Sequence, residues 1–179
     1  MPVITDSFRQ NRYLRSNAVK YAVTYALHPN PAFRYFPLVN DSSGDCANFL
    51  SQCLLAGGGK MDFNPSRPWW YNKNGTASTS DDTWSIPWTV AHSLYYYLRV
   101  NQEENRPYTQ GLEIQSARGL ELGDLIFYED NTGLIFHSTI VTAFSGGEPL
   151  VSHHSFEALN IPYRSSWPAV KYHYIKVSM

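Results

Sequence analysis

The first half of the chain places apolar residues at helical spacing. Between residues 14 and 27 small and aromatic side chains recur on one face, and Pro29 and Pro31 end the pattern. A second apolar face starts at Cys46 and stops at the glycines at 57–59, and residues 89–100 repeat the helical spacing. These patterns predict three helices.

The second half alternates β-branched and aromatic residues with polar ones. Four such runs, separated by turn residues, predict strands over residues 124–128, 134–144, 150–154 and 171–177. Helices followed by consecutive strands are typical of an α+β fold in which helices pack on an antiparallel β-sheet. The length of 179 residues suits one domain spanning residues 1–179.

A long irregular stretch at residues 61–88 joins the two halves and contains Trp69, Trp70 and Tyr71. Loops of this length are commonly functional. Its aromatic rings offer two interpretations, a platform that binds sugar or peptide, or a small core that fixes the loop to the rest of the protein.

Composition narrows the choice of partners. Apolar residues make up 43% and charged residues 16%, with a formal net charge of −1. No basic stripe indicates a nucleic-acid partner, and no apolar run approaches the roughly 20 residues that cross a membrane. We therefore expect neither nucleic acid nor membrane as a partner. The stretch Met1–Arg15 lacks the apolar centre of a signal peptide, and this leaves the location unknown.

Cys46 and Cys53 are the two cysteines of the chain. In one continuous helix their Cα atoms would lie about 10 Å apart, beyond the reach of a disulfide. Both thiols are therefore expected to be free. Cys46 is the more interesting, because it opens its helix, where unpaired N–H groups lower a thiol pKa and can hold an oxyanion. Asp45 is predicted to cap this helix.

A nucleophilic cysteine needs a base, and the chain has six histidines. His137 differs from the others because it interrupts the apolar run around Ile135 and Ile140. A buried histidine of this kind is either a satisfied core residue or a functional one. A second predicted strand ending in His153 and His154 favours the functional interpretation.

The segment 45–52, Asp-Cys-Ala-Asn-Phe-Leu-Ser-Gln, resembles the signature of the bacterial family named "putative amidase domain", which is related to the NlpC-type and CHAP cell-wall peptidases. Residues 122–127, Leu-Gly-Asp-Leu-Ile-Phe, are similar to the family's turn-and-strand motif before the catalytic histidine. His137-Ser138 matches the position of that histidine, and residues 151–155 are similar to the third block.

The resemblance implies a papain-like (NlpC-like) fold and hydrolysis of amide bonds through a thioester, without a cofactor. Cys46 would be the nucleophile, His137 the general base, and peptidoglycan or its peptides the substrate. It also implies secretion or attachment to the cell wall, and the missing signal peptide departs from this pattern.

His153 and His154 compete for the third catalytic position, which orients His137. Neighbouring residues on a strand point to opposite faces, so only one can reach His137 on the helix-covered face. We predict His154 for this role and place His153 on the other face.

Two alternatives to a cysteine amidase remain. Cys46, His137 and His154 could bind zinc with an open fourth position and form a metallohydrolase. The chain could instead be an inactive module that binds glycan or peptide through its aromatic loop. The preferred hypothesis, the cysteine mechanism, needs no metal.

Overall fold

A computed structural model describes residues 12–40 and 44–179. Its helices confirm the predicted helical regions, although the third region is divided in two. The described residues form the α-helices α1 (Arg15–Tyr25), α2 (Cys46–Ala56), α3 (Ile86–Thr89) and α4 (Ala91–Glu103). The division between the last two falls at Val90, whose extended backbone interrupts the helix.

The same described part of the chain contains eight β-strands, which are numbered in chain order. They are β1 (Tyr71–Asn72), β2 (Thr83–Trp84), β3 (Gln110–Ile114), β4 (Leu125–Glu129), β5 (Ile135–Ser145), β6 (Glu148–His153), β7 (Ala158–Pro162) and β8 (Lys171–Ser178). The first two form a small hairpin inside the irregular stretch, and the other six form one sheet in the order β3-β8-β4-β5-β6-β7. All paired neighbours are antiparallel, so the predicted mixed α+β architecture with an antiparallel sheet is confirmed.

The sheet has a core on each face. Leu125, Phe127 and Ile140 point toward α1, α2 and α4 and join the larger core. Their neighbours along the strands, Ile126 and Tyr128 among them, point the other way into a smaller core. Because side chains alternate along each strand, the face that a residue occupies decides whether it can meet the helices.

The first turns of α2 hold the aromatic stretch in place. Asn48 accepts a hydrogen bond from Trp88 Nε1 at 2.8 Å, and Ser51 accepts one from Trp69 Nε1 at 3.0 Å. Trp69 and Trp88 are fully buried. Tyr71 is also buried, so two of the three aromatic residues considered as a binding platform belong to the core instead.

Besides the small hairpin of β1 and β2, two strands of the main sheet were missing from the sequence-based prediction, and both lie at its edges. β3 and β7 pair on one side only, and they contain residues that disfavour strands, such as Gly111 and Pro162. Edge strands tolerate proline and glycine because half of their backbone groups need no partner in the sheet.

Two expectations concern the terminus and membranes. The stretch Met1–Arg15, for which we expect no signal peptide, lies outside the described residues apart from 12–15. Within the described ranges, no helix combines the length and apolar character that a membrane span requires.

Candidate active site

Cys46 occupies the first position of α2 and lines a cavity of about 740 Å³. Gly44, Ser155 and Trp167 line the same cavity, together with His137 from β5. Much of the remaining wall is apolar, including Phe36 and Ile135. The cavity is therefore a mostly apolar space with a thiol and an imidazole among its lining groups, which is the usual character of a small-molecule or peptide site.

The Cys46 thiol does not have the lowered pKa expected of a helix N-terminus. Burial raises its pKa, and the Asp45 charge raises it further, while the nearby Ser138 and the Ala47 backbone act in the opposite direction. Loss of solvation outweighs the local N–H groups because the side chain is only 7% exposed. At neutral pH the resting thiol is therefore protonated.

Asp45 is not the helix cap that the sequence predicted, since its side chain makes no capping bond to α2. Its carboxylate instead accepts hydrogen bonds from Phe36 N at 3.0 Å, from Asn48 Nδ2 at 2.8 Å and from His154 Nδ1 at 2.5 Å. A loop, a helix and the end of β6 thus meet on one buried carboxylate. Asp45 fixes the entry of the chain into α2 through tertiary contacts.

His154 is fully used by this network. Its Nδ1 bonds Asp45, its Nε2 donates to the Tyr25 carbonyl at 2.9 Å, and its ring stacks on Phe49 at a centroid distance of 4.1 Å. Both nitrogens are engaged by oxygen atoms of Asp45 and Tyr25, so neither is left over for a thiol proton. His154 lies on the helix-covered face, as predicted, but it does not contact His137.

Strand pairing explains why. From Ile140 back to His137 the strand β5 pairs regularly with β4, so Ile140 and Ser138 point to the helix-covered face and His137 points to the other face, with Tyr128. A β-bulge follows, because Glu129 pairs with Ile135 and one extra residue, Phe136, is inserted in β5. The bulge returns Ile135 to the helix-covered face, on which Ser138 lies beside Cys46.

On this face His137 meets aromatic rings. Its ring lies 5.1 Å from the ring of Tyr128 and 4.6 Å from that of His153, nearly perpendicular in the second case. Burial and the neighbouring His153 hold the pKa of His137 well below its usual range, so the imidazole is neutral at neutral pH. Its Nε2 is buried and has no hydrogen-bond partner in the described part of the chain.

The predicted assignment of the two neighbouring histidines is therefore wrong in its geometry. His153, not His154, packs against His137. His153 is itself held by hydrogen bonds at Nε2 to Ser166 Oγ, at 2.9 Å, and at Nδ1 to the His154 carbonyl, at 3.0 Å. The predicted faces of His153 and His154 are right; the error lies in the face assigned to His137, which lies with Tyr128 on the face away from the helices.

Comparison with known proteins places this arrangement in a family. The model of the family described as "Putative amidase domain" matches residues 12–177. The chain is 35% identical over 154 residues to the uncharacterized protein YhbB of Bacillus subtilis, covering 84% of this chain and 44% of that one. It is 28% identical over 149 residues to the uncharacterized protein YjcM of the same organism, covering 81% and 31%.

The chain belongs to the putative amidase domain family. This confirms the family resemblance seen in its motifs, and the family's description indicates a hydrolase of amide bonds. The chain spans less than half the length of the two relatives it matches. No solved structure matches it.

Two serines of this amidase-domain site were missed by the sequence analysis as functional candidates, and His92, one of the six histidines considered, was set aside. Ser138 lies beside the thiol, Ser155 lines the cavity, and His92 lines it from the start of α4. His92 accepts a hydrogen bond at Nδ1 from the Ile135 N–H at 3.1 Å, so in the neutral ring the hydrogen is on Nε2. Serines carry no sequence signal of their own, and only the fold brings these three together.

The zinc alternative finds no support in this geometry. Its three ligands would be Cys46, His137 and His154, but the two histidines point to opposite faces of the sheet and both nitrogens of His154 are engaged. Within residues 12–40 and 44–179, no three His, Cys, Asp or Glu side chains are grouped as a metal site would require.

Proposed function

We propose that this member of the putative amidase domain family is a cysteine amidase that cleaves amide bonds through a thioester on Cys46. The observation that carries the proposal is the shared cavity, which is lined by the thiol and by a buried imidazole whose Nε2 has no partner among residues 12–40 and 44–179. A buried polar atom without a partner costs free energy, about 1–3 kcal/mol, and such atoms in folded proteins commonly serve a function.

The resting protonation states define the proposed mechanism. Because the thiol is protonated and His137 is neutral, the dyad does not begin as an ion pair. His137 belongs to the other face of β5 from Ser138 and Cys46, but it lines the same cavity, and there it accepts the thiol proton as Sγ attacks the carbonyl carbon, acting as a general base. The same proton then passes to the leaving amine as the C–N bond breaks, and water hydrolyses the thioester.

The fold and the substrate belong to the same proposal. Helix α2 carries the nucleophile at its first residue and packs on an antiparallel sheet that carries the histidine, as a papain-like, NlpC-related hydrolase would require. We propose peptide amide bonds of peptidoglycan as the substrate class. The apolar cavity walls suit the uncharged peptide stem better than a charged polymer.

Digestion of purified peptidoglycan, with mass analysis of the released fragments, tests the function. Wild-type protein should release peptide-containing fragments, and this release should persist in EDTA. Cys46→Ala should reduce it to background. Cys53→Ala is the matched control, because Cys53 is fully buried in the core and contributes packing only.

Two results would count against the proposal. Full release by Cys46→Ala would remove the thioester mechanism, and loss of release in EDTA with recovery on added zinc would favour the metal alternative. If peptidoglycan stays intact while short peptide amides are cleaved, the mechanism stands and the substrate class is wrong.

A further inference from the structure

The hydroxyl of Ser155 occupies an unusual place at the start of α2. It accepts hydrogen bonds from the backbone N–H of Asp45 at 2.6 Å and from that of Cys46 at 3.2 Å. These are N–H groups of the kind that would stabilise an oxyanion at the nucleophile. In this structure they are directed at a side chain that itself lines the cavity.

A serine hydroxyl has one hydrogen and two lone pairs. At Ser155 both lone pairs are used by the two N–H groups, so the hydrogen is the part of the hydroxyl that remains available. No acceptor for it lies in the part of the chain that the structure describes. The side chain is only 6% exposed, so the free donor is held inside the cavity wall and not in bulk water.

The residues around Ser155 allow its hydroxyl to lie close to the start of α2. A methyl group at Gly44 would lie 2.2 Å from Ser155 Oγ and 2.8 Å from its Cβ, so any larger residue there would displace the serine. Ser155 also has a positive φ of 64°, a conformation that costs a residue with a side chain free energy. Its two hydrogen bonds compensate for that cost and fix the hydroxyl in position.

We propose that Ser155 is a further catalytic residue, whose hydroxyl donates the hydrogen bond that stabilises the oxyanion formed at Cys46. The assignment rests on the proposed function. As the bond between Sγ and the carbonyl carbon forms, the π electron pair moves to the carbonyl oxygen and the thiol proton moves to His137. The Ser155 hydrogen points at that oxygen and stays on Ser155, while the two N–H groups polarise the hydroxyl from behind.

The competing possibility is that Ser155 only fills the oxyanion site in the resting state. The two cases differ in what removal of the hydroxyl does. If Ser155 is the donor, its loss slows acyl transfer. If Ser155 only fills the oxyanion site, its loss leaves the N–H groups of Asp45 and Cys46 free to bind the oxyanion directly. Acyl transfer then keeps its rate or becomes faster.

The test compares two reactions of the same thiol. Acetylation of Cys46 by p-nitrophenyl acetate, followed by intact mass and peptide mapping, passes through an oxyanion. Alkylation by iodoacetamide does not. For Ser155→Ala and Ser155→Gly we expect acetylation to fall by about 10²–10³-fold, the range found for loss of one oxyanion donor, and alkylation to change by less than about threefold.

The variant Gly44→Ala tests the role of Ser155 without changing Ser155 itself. It should lower acetylation to a similar extent by displacing Ser155, and it should add no further loss when combined with Ser155→Gly, where neither clashing atom exists. Circular dichroism of each variant establishes that it is folded before rates are compared.

The outcomes separate the two proposals. Unchanged or faster acetylation in both serine variants overturns the role of Ser155 and leaves Cys46 as nucleophile. An equal fall in acetylation and alkylation also overturns it, because the thiol itself would then have been disturbed. A wild-type protein that is never acetylated at Cys46 refutes the proposed function and the Ser155 assignment with it.

Discussion

The two faces of the sheet around β5 each carry a buried histidine, and the two histidines differ in their hydrogen bonding. On the helix-covered face, His154 bonds Asp45 and the Tyr25 carbonyl and stacks on Phe49. On the other face, His137 is equally buried but has a nitrogen without a partner in the described part of the chain. A satisfied buried histidine contributes to the structure, whereas an unsatisfied one beside a cavity is available for proton transfer.

This contrast also separates stability from activity. Removing a member of the Asp45–His154 pair leaves a buried charge or acceptor unpaired, which typically costs several kcal/mol of stability. Removing His137 takes away a group whose Nε2 makes no hydrogen bond to any residue that the structure describes. The comparison between the two faces can therefore be tested one residue at a time.

The largest expected effect is on turnover in His137→Gln. Glutamine keeps much of the volume but cannot act as a base, so kcat should fall by about 10²–10⁴-fold while the free energy of unfolding changes little. Amide hydrolysis rates and urea denaturation measure the two quantities.

His154→Gln is the matched control for that experiment. It should lower the unfolding free energy by more than His137→Gln does, and retain most of kcat in the folded protein. A His154→Gln variant that is stable but inactive, beside an active His137→Gln, would reverse the assignment of roles to the two faces.

The second prediction concerns stability as a function of pH. Burial lowers the pKa of His153 to about 4, below the ordinary value of 6.5, so the folded state disfavours its charged form. In the unfolded chain His153 takes up a proton near pH 6.5, so unfolding binds protons between that pH and about 4. The contribution of the neutral, buried His153 to the free energy of unfolding is complete above about pH 6.5. It is lost as the pH falls through this window, by roughly 3 kcal/mol in all.

Urea denaturation at several pH values between 7.5 and 4.5 measures this effect. His153→Gln should lose less stability over the range than wild type, because it has no proton to bind. Parallel pH dependences for the two proteins would show that His153 titrates alike in both states.

The smallest expected effect is that of His153 on catalysis. The His153 ring packs against His137, and losing an orienting neighbour should lower kcat by about tenfold, the low end for such groups. The pH–rate profile gives a sharper readout. Since His153 and burial lower the pKa of His137, the acidic limb of kcat/KM in wild type should lie below pH 6.5.

His153→Ala should move that limb upward toward pH 6.5, because it removes a neighbouring titratable group and admits solvent. A purely structural role for His153 would lower the rate without moving the limb. An acidic limb in wild type above pH 6.5 would show that His137 is not the neutral base of this reaction.

Several parts of the molecule followed from the sequence. The bounds of α2 could be predicted because Cys46 begins an apolar helical face and a run of glycines ends it. The antiparallel sheet could be predicted from its central strands, which are rich in β-branched residues. Its edges could not, since Gln110–Ile114 and Ala158–Pro162 contain glycine, proline and polar residues that an edge position tolerates.

Within the site, the sequence indicated the chemical groups but not their directions. Cys46 and His137 stood out by type and position, and the structure brings both to one cavity. The expected lowering of the Cys46 pKa was wrong, because burial could not be read from a local motif. Asp45 was expected to cap a helix locally, but its bonds are to residues distant in the sequence, His154 above all.

What the sequence determined by itself was therefore the set of elements and the reactive side chains, because periodicity and helix position act over a few residues. The tertiary structure decided which of those side chains meet. The pairing of β5 with β4 placed His137 on the face away from the helices, where His153 is its neighbour, and one inserted residue at Phe136 placed Ile135 on the helix-covered face. A bulge depends on how two strands pair, and pairing is settled by the packing of the whole sheet between its two cores, which no local pattern records.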